Sequence, residues 1–231
     1  MKTIGLIGGM SWESSLEYYR IINETVKRKL GGLHSAKSIM YSFDFQDIEK
    51  LQHEGDWESL TALMKDAAQK VERGGADFIV ICTNTMHKVA EDVKRNVGIP
   101  LLHIVDVTGQ AIHSRNIRRV GLLGTRFTME QDFYRDRLER HHGLTVIIPD
   151  EEERQVIHTI LYEELCLGEI KKKSRDKFKQ IIDRLEARGA EGVILGCTEI
   201  PLLVSQEDYE LPLFDTTTLH AQAAVEFALR T

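Results

Sequence analysis

The segment GADFIVICT at residues 75–83 decides the fold, because the chain repeats it as GAEGVILGC at residues 189–197. In each copy, small residues form a turn before a short apolar run, which is typical of a buried strand. The two copies are offset by 189 − 75 = 114 residues. The segments at 4–8 and 120–124 also resemble each other, at an offset of 121 − 5 = 116 residues. Short apolar strands after glycine also recur by chance. We favour a true repeat, and hence two related halves, because the match includes the preceding helix and the polar residues that follow.

Strand-like and helix-like segments alternate along the chain, which predicts parallel sheets covered by helices and an α/β fold class. The predicted strands lie at residues 3–7, 38–43, 78–81, 101–105, 119–123, 144–148 and 192–195. Ser11 can cap a first helix, on which Leu16, Tyr19, Ile22 and Val26 recur at helical spacing. Asp56 can cap a second helix, which Gly74 and Gly75 end. Further helical patterns begin near Thr128, span about 152–166 and 173–187, and follow Asp215.

The composition is that of an ordinary globular protein: 231 residues, 42% apolar and 29% charged, with a net charge of −6. This acidic balance offers no surface for nucleic acid or for an anionic membrane, so neither is expected as a partner. The apolar N-terminus is too short for a signal peptide, and no run is long enough to span a bilayer. We therefore expect a cytoplasmic protein with three free thiols. The cysteines form no C-x-x-C pair, so no metal site is expected.

Two polar segments follow the paired core strands and are the candidates for chemistry. Under the offset of 114, Cys82 aligns with Gly196, and Thr83 aligns with Cys197 because 83 + 114 = 197. Ligands of parallel α/β sheets bind at the carboxyl ends of the strands, so residues 82–85 and 196–199 are predicted to be opposite walls of one cleft. Their hydroxyl, amide and backbone N–H groups suit a carboxylate ligand.

The cysteines and the polar residues at 84–85 also have structural interpretations. Cys82 follows an apolar strand and Cys166 lies in an apolar helical segment, so both are expected to be small buried hydrophobic residues. Cys197 differs, because it ends a strand and precedes two polar residues. Asn84 and Thr85 can cap the helix predicted from Met86 to Val93, which is compatible with ligand binding.

The glycine-rich turn at residues 8–11 fits neither the dinucleotide-binding motif nor a phosphate loop, which needs a lysine. We interpret it as a tight turn that offers backbone N–H groups to an anion, and Thr125 can do the same in the second half. The histidines His34, His87 and His220 have no metal-ligand spacing, so each is expected at a surface, capping or core position.

The chain resembles the aspartate/glutamate racemase family. The resemblance rests on the segments GGMSWES (8–14), GGLHS (31–35), CTNTMHK (82–88), LGT (123–125), GCTE (196–199) and PLFDT (212–216). It implies two pseudo-symmetric domains with parallel-sheet cores, flanking helices and an active site in the cleft between them. The first half is then expected to comprise residues 1–108 plus 213–231, and the second residues 109–212. The resemblance further implies a homodimer with no cofactor, and in particular no pyridoxal phosphate.

The family mechanism uses two cysteines on opposite faces of the substrate, one removing the Cα proton and the other returning one. Inversion requires this arrangement, and the site must also stabilise a carbanion-like transition state. Cys197 matches the second cysteine, whereas Thr83 occupies the position of the first. Cys82 lies one residue early, and on an extended strand its side chain points to the other face. Catalytic roles are therefore expected for Thr83 and Cys197, with a preference for L-aspartate or L-glutamate.

Six further residues are expected to bind the substrate. They are Met10, Gln52, Asn84, Thr85, Thr125 and Thr198. Gln52 is placed in a loop that could reach a side-chain carboxylate, although a solvated loop residue fits that position almost as well. Two other functions remain open. One is a single-cysteine decarboxylase or cis–trans isomerase of small dicarboxylates, and the other is a non-catalytic protein that binds an acidic amino acid.

Overall fold

A computed structural model describes residues 1–230, which form two compact units. Unit 1 comprises Met1–His103 together with the residues from His220 onward, and unit 2 comprises Ile104–Leu219. Each unit contains one four-stranded parallel sheet with helices on its faces. The α/β fold class with two parallel-sheet domains is thereby confirmed.

The sheet of unit 1 has the strand order β2-β1-β3-β4. Its strands are β1 (Ile4–Gly8), β2 (Ser38–Ser42), β3 (Phe78–Ile81) and β4 (Leu101–Leu102). Its helices are α1 (Trp12–Leu30), α2 (Phe45–Glu54), α3 (Trp57–Arg73) and α4 (Ala90–Lys94), with a 3₁₀ helix at Thr85–Val89. As predicted, Ser11 caps α1 by accepting from the Ser14 amide, and Asp56 caps α3 by accepting from the Ser59 amide.

The sheet of unit 2 has the order β6-β5-β7-β8, which matches that of unit 1 strand for strand. Its strands are β5 (Arg119–Gly124), β6 (Thr145–Ile147), β7 (Val193–Gly196) and β8 (Leu213–Asp215). Its helices are α5 (Ile104–His113), α6 (Arg126–Glu130), α7 (Asp132–His142), α8 (Glu151–Glu163), α9 (Lys172–Ala187) and α10 (Ile200–Leu203). The repeated segments at 75–83 and 189–197 contain β3 and β7, the third strand of each unit.

A last helix, α11 (Thr216–Leu229), begins in unit 2 and continues in unit 1. Its residues Ala221, Ala224, Val225 and Ala228 are buried in a cluster that also contains Leu6, Val80, Cys82 and, from α1, Tyr18, Ile22 and Val26. The other face of the same sheet packs against α3. The sheet of unit 1 is therefore covered by α1 and α11 on one face and by α3 on the other.

The unit boundaries differ from the expected halves at two places. Residues 213–219 lie in unit 2 because β8 pairs in parallel with β7. Residues 104–108 also lie in unit 2, because Ile104 and Val105 are fully buried in a cluster with residues of β5 and β7. Pairing and burial therefore assign both segments to the second sheet.

Several local expectations were wrong. The strand predicted at 101–105 ends at Leu102, and α5 begins at Ile104. On α1, Ile22 and Val26 are buried, whereas Leu16 and Tyr19 are 53% and 50% exposed. Helix α2 lies in a segment for which no helix was predicted. None of the helices in residues 1–230 combines the length and the apolar character needed to cross a membrane.

Candidate active site

In the turn after β1, the backbone N–H of Gly9 is hydrogen-bonded to a nearby side chain. Gly9 has φ +81°, and its N–H donates to the Ser15 hydroxyl oxygen at 2.7 Å. The same hydroxyl donates to the Ser11 carbonyl at 2.9 Å. Met10 is 4% exposed and packs in the core beside α3. The turn is tight, as expected, but the Gly9 N–H already has a partner and is not held open for an anion.

The segment after β3 separates Cys82 from Thr83. Cys82 is fully buried in the apolar cluster under α1 and α11, and this burial raises the pKa of its thiol. Thr83 is partly exposed, and its carbonyl oxygen accepts from His87 Nδ1 at 2.7 Å. The two neighbouring side chains thus have different environments.

Asn84 and Thr85 follow Thr83 and are 2% and 5% exposed. The helix predicted from 86 to 93 is a 3₁₀ helix followed by α4. Asn84 precedes it in a helical conformation and makes no side-chain capping bond, so the expected capping role is wrong. Ligand binding is compatible with the buried position of this amide.

Gln52 does not lie in a loop. It is in the last turn of α2, is 4% exposed, and its Nε2 donates to Met86 Sδ at 3.3 Å. The amide is shielded from water by burial, and a thioether sulfur is only a weak hydrogen-bond acceptor. The interpretation as a solvated loop residue is therefore wrong, while Gln52 stays a candidate for substrate binding.

Thr125 follows β5 and caps α6. Its Oγ1 accepts from the Thr128 amide at 3.3 Å and lies 3.2 Å from the Thr128 hydroxyl. Gly124 pairs with Gly196 of the neighbouring strand, and a Cβ at Gly124 would lie 2.9 Å from the Gly196 carbonyl oxygen. A side chain at Gly124 would therefore crowd the neighbouring strand, and the parallel pairing of β5 with β7 places the segments that follow them at one edge of the sheet.

The segment after β7 contains a hydrogen-bonded thiol. Cys197 Sγ donates to Glu199 Oε2 at 2.9 Å, and the Thr198 hydroxyl donates to the same oxygen at 2.7 Å. Cys197 is partly exposed, whereas Glu199 is 4% exposed. The carboxylate therefore holds the thiol at the carboxyl end of a core strand.

The pKa of the Cys197 thiol is raised well above its ordinary value. Loss of hydration on burial is the main cause, followed by the negative charge of Glu199 and by nearby Cys166. Cys166 is itself partly exposed, so the expectation that it is a buried hydrophobic residue is wrong. The raised pKa favours the thiol form of Cys197, and the thiol has the Glu199 carboxylate as a hydrogen-bond acceptor.

Each unit carries a group that can transfer a proton just after its third strand. Unit 1 ends one core strand with a hydroxyl, and unit 2 ends the equivalent strand with a thiol bonded to a carboxylate. Among residues 1–230, no three histidine, cysteine or acidic side chains are grouped so that they could hold a metal ion. The chemistry that these strand ends can supply themselves is acid–base chemistry.

The sequence profile of the Asp/Glu/hydantoin racemases matches residues 7–224, nearly the whole chain. The chain belongs to this racemase family. The racemase fold extends over the full length: a crystal structure of a Yersinia pestis protein assigned as an Asp/Glu racemase is 55% identical, with a TM-score of 0.93 and full coverage of both chains. The recognition made from the sequence motifs is thereby confirmed.

Two other racemase relatives show how far the similarity extends. An aspartate racemase homologue from Pyrococcus horikoshii is 38% identical, with a TM-score of 0.87 and full coverage of both chains. A broad specificity amino-acid racemase from Bacillus subtilis is 25% identical over 174 residues, which is 74% of this chain and 73% of that protein. Racemase activity is therefore supported for this family member.

Two contacts made by the candidate residues Thr83 and Cys197 were not predicted from the sequence. Glu199 was recognised as part of a motif but received no role, and His87 was interpreted as an ordinary histidine. The signal for Glu199 is its i, i+2 spacing from a strand-end cysteine. The signal for His87 is its i, i+4 spacing from Thr83, which lets a ring nitrogen reach back to the carbonyl.

Proposed function

We propose that this protein interconverts the enantiomers of aspartate, glutamate or both without pyridoxal phosphate, as a cytoplasmic homodimer. The observation that carries the proposal is the Cys197 thiol, which is partly exposed at the end of β7 and donates to the buried Glu199 carboxylate. The family and its relatives support a racemase, and the aspartate racemase homologue supports an acidic substrate. Cys197 and Thr83 are the proposed catalytic pair, acting on opposite faces of the substrate.

In the proposed reaction, Glu199 first takes the Cys197 proton. The thiolate then removes the Cα proton of the L-amino acid, and Thr83 donates its hydroxyl proton to the opposite face of the carbanion. Thr83 regains a proton from water, and Glu199 releases its proton to solvent, so the protons balance. The high resting pKa of Cys197 makes its thiolate a strong base once substrate binding favours ionisation.

The two faces of the substrate are chemically unequal in this proposal. A cysteine thiol is a far stronger acid than a threonine hydroxyl, so Cys197 can transfer its proton to Glu199 and act as a thiolate, whereas Thr83 is almost never ionised and is a poor base as a neutral hydroxyl. Removal of a proton from an L-substrate therefore uses a thiolate, and removal from a D-substrate must use a hydroxyl. We expect faster turnover of L-aspartate or L-glutamate, with the equilibrium ratio of enantiomers still close to one.

Substrate binding is assigned to residues that follow strands β1, β3, β5 and β7, and to Gln52 of α2. The proposed contacts are Met10, Gln52, Asn84, Thr85, Thr125 and Thr198. Buried amides and hydroxyls next to partly exposed catalytic groups suit the two carboxylates of an acidic amino acid. Gln52 is the candidate for the side-chain carboxylate, because an amide N–H can donate to a carboxylate oxygen and this amide is buried in the last turn of α2.

The decisive experiment incubates both enantiomers of aspartate and of glutamate with the protein in D₂O. Chiral chromatography measures inversion, and mass spectrometry measures deuterium at Cα. We expect both signals in the native protein and neither in Cys197→Ser, with Cys82→Ala as the matched thiol control that keeps both. Release of carbon dioxide, conversion of maleate to fumarate, or tight binding of aspartate without exchange would each replace this proposal with another function.

A further inference from the structure

Three buried histidine rings lie beside the Thr83 turn in unit 1, and the proposed reaction uses none of them. His87, His103 and His220 are 3%, 7% and 0% exposed. The ring centroids of His87 and His103 are 4.7 Å apart, and those of His87 and His220 are 5.7 Å apart, with both pairs edge to face. The His87 ring is therefore in contact with both of the others.

The His220 ring is fixed by two hydrogen bonds. Its Nε2 lies 3.0 Å from the Leu102 carbonyl oxygen, and because that oxygen can only accept, Nε2 must carry the proton. In the neutral ring Nδ1 is then an acceptor, and the Tyr18 hydroxyl donates to it at 2.8 Å. Tyr18 is itself fully buried. His220 thus gives the His87 ring a rigid neighbour with a defined tautomer.

His87 transmits this support to the backbone of Thr83. Its Nδ1 lies 2.7 Å from the Thr83 carbonyl oxygen, and by the same argument Nδ1–H is the donor. Thr83 lies beyond the last residue of β3, so the pairing of β3 with β1 and β4 does not include it. The ring nitrogen fixes the orientation of the peptide that follows the strand.

We infer that His87 is a positioning residue, which holds Thr83 in the geometry needed to return a proton to the substrate. This inference rests on the proposed function and deepens it. A displacement of about 1 Å of a catalytic group can cost about 100-fold in rate. Because His87 bonds to Thr83, its loss should impair the Thr83 step and spare the step at Cys197.

The two steps can be measured separately. With an L-substrate in D₂O, Cys197 can remove the Cα proton, exchange it for a deuteron from the solvent and return that deuteron to the same face, which gives exchange without inversion. Inversion needs Thr83 as well. A defect confined to Thr83 therefore lowers the ratio of inversion to exchange. Both signals come from the same active molecules, so the ratio is independent of how much of a preparation is folded.

The test compares His87→Phe with His87→Asn. Phenylalanine keeps a ring between the two other histidines but has no N–H, whereas the asparagine amide nitrogen can take the place of Nδ1. We expect the inversion-to-exchange ratio to fall at least tenfold in His87→Phe and to stay within about threefold of the native value in His87→Asn. The matched control is His53→Phe, which removes a ring bond of the same i, i+4 type, from His53 Nδ1 to the Glu49 carbonyl oxygen at 3.0 Å.

An unchanged ratio in His87→Phe would overturn the inference, and so would an equal loss of inversion and exchange, because that pattern indicates general damage. If His87→Phe yields no folded protein, the same ratio in His87→Leu decides. The proposed function fails on a different observation, namely exchange that persists in Cys197→Ser.

Discussion

The Cys197 thiol and the Glu199 carboxylate are joined by a hydrogen bond of 2.9 Å at the carboxyl end of β7. The Thr198 hydroxyl donates to the same carboxylate oxygen at 2.7 Å. Two donors on one oxygen fix the carboxylate against the thiol, and the low exposure of Glu199 strengthens both bonds. The carboxylate raises the pKa of the thiol and is also placed to receive its proton.

Glu199→Gln separates these two effects. The neutral amide removes the charge that raises the pKa of Cys197, so we expect the thiol to ionise at lower pH. The amide cannot accept the proton, so racemisation should fall about 100-fold, a typical loss for an acid–base group. Peptide mapping after iodoacetamide treatment should therefore show faster alkylation of Cys197, alongside slower racemisation.

The native protein is the reference for this variant, and Cys166, which is also partly exposed, is followed in the same digest. Racemisation that rises together with alkylation would show that Glu199 only restrains the thiol. In that case another group must receive its proton.

Thr83→Cys should restore a thiol on the weaker face. We expect turnover of D-aspartate or D-glutamate to rise at least tenfold, because a thiol is a far better base than a hydroxyl. Turnover of the L-form should change less. Initial rates for each enantiomer, followed by circular dichroism, give the comparison. Cys82→Ala should leave both rates unchanged, because this side chain is buried in the apolar cluster of unit 1.

Equal rates from both enantiomers in the native protein would contradict the proposed asymmetry. A loss of activity in Cys82→Ala would place the first catalytic position one residue earlier.

The buried His220 ring is expected to make the free energy of unfolding fall at acidic pH. Burial lowers the pKa of His220 to about 4, and the bond to the Leu102 carbonyl opposes this shift. An unfolded histidine has a pKa near 6.5. The stabilisation is therefore complete above pH 6.5 and is lost as the pH falls through about 4. It amounts to about 3 kcal/mol of the free energy of unfolding.

Urea unfolding at pH 7 and at pH 4 measures this loss. His220→Asn should flatten the dependence between these pH values, and Tyr18→Phe should reduce it, because the Tyr18 hydroxyl donates to the neutral ring. If the free energy of unfolding falls as much between pH 7 and pH 4 in His220→Asn as in the native protein, the acid sensitivity arises from other groups.

For two adjacent threonines on α11, substitution by valine is expected to change the free energy of unfolding in opposite directions. Thr216 Oγ1 donates to the Leu195 carbonyl at 2.8 Å, whereas Thr217 Oγ1 is buried with no hydrogen-bonding partner among residues 1–230. Thr216→Val should lower the free energy of unfolding by about 1–2 kcal/mol, because it leaves a buried carbonyl unpaired. Thr217→Val should raise it by up to about 1 kcal/mol. Chemical denaturation of both variants provides the test, and a marked destabilisation by Thr217→Val would reveal a partner for that hydroxyl.

The sequence predicted seven of the eight strands in residues 1–230, because apolar runs next to glycine indicate burial, but β8 has only three residues and was not predicted. The strand predicted at 78–81 coincides with β3, and the repeat aligned β3 with β7. Short helices were harder to predict. Helix α2 has ten residues, and its buried face rests on Ile48 and Gln52, a pattern too brief to separate from a loop.

For the candidate residues, the sequence indicates which side chains follow the strands but not which groups those side chains contact. Thr83 and Cys197 could be aligned because the repeat fixes their positions at strand ends. The bond from Cys197 to Glu199 and the bond from His87 to Thr83 depend on how the chain turns after each strand. Composition and periodicity do not predict the conformation of such a turn, so these two hydrogen bonds could not be predicted from the sequence.

Helix α11 also sets an order of events during synthesis. Its residues Ala221, Ala224, Val225 and Ala228 cover one face of the first sheet, yet a ribosome makes them only after all of unit 2. Unit 2 can therefore fold while this face of unit 1 still awaits its helix. The first unit to leave the ribosome is the last to be completed, and until then the nascent chain presents an apolar surface to chaperones.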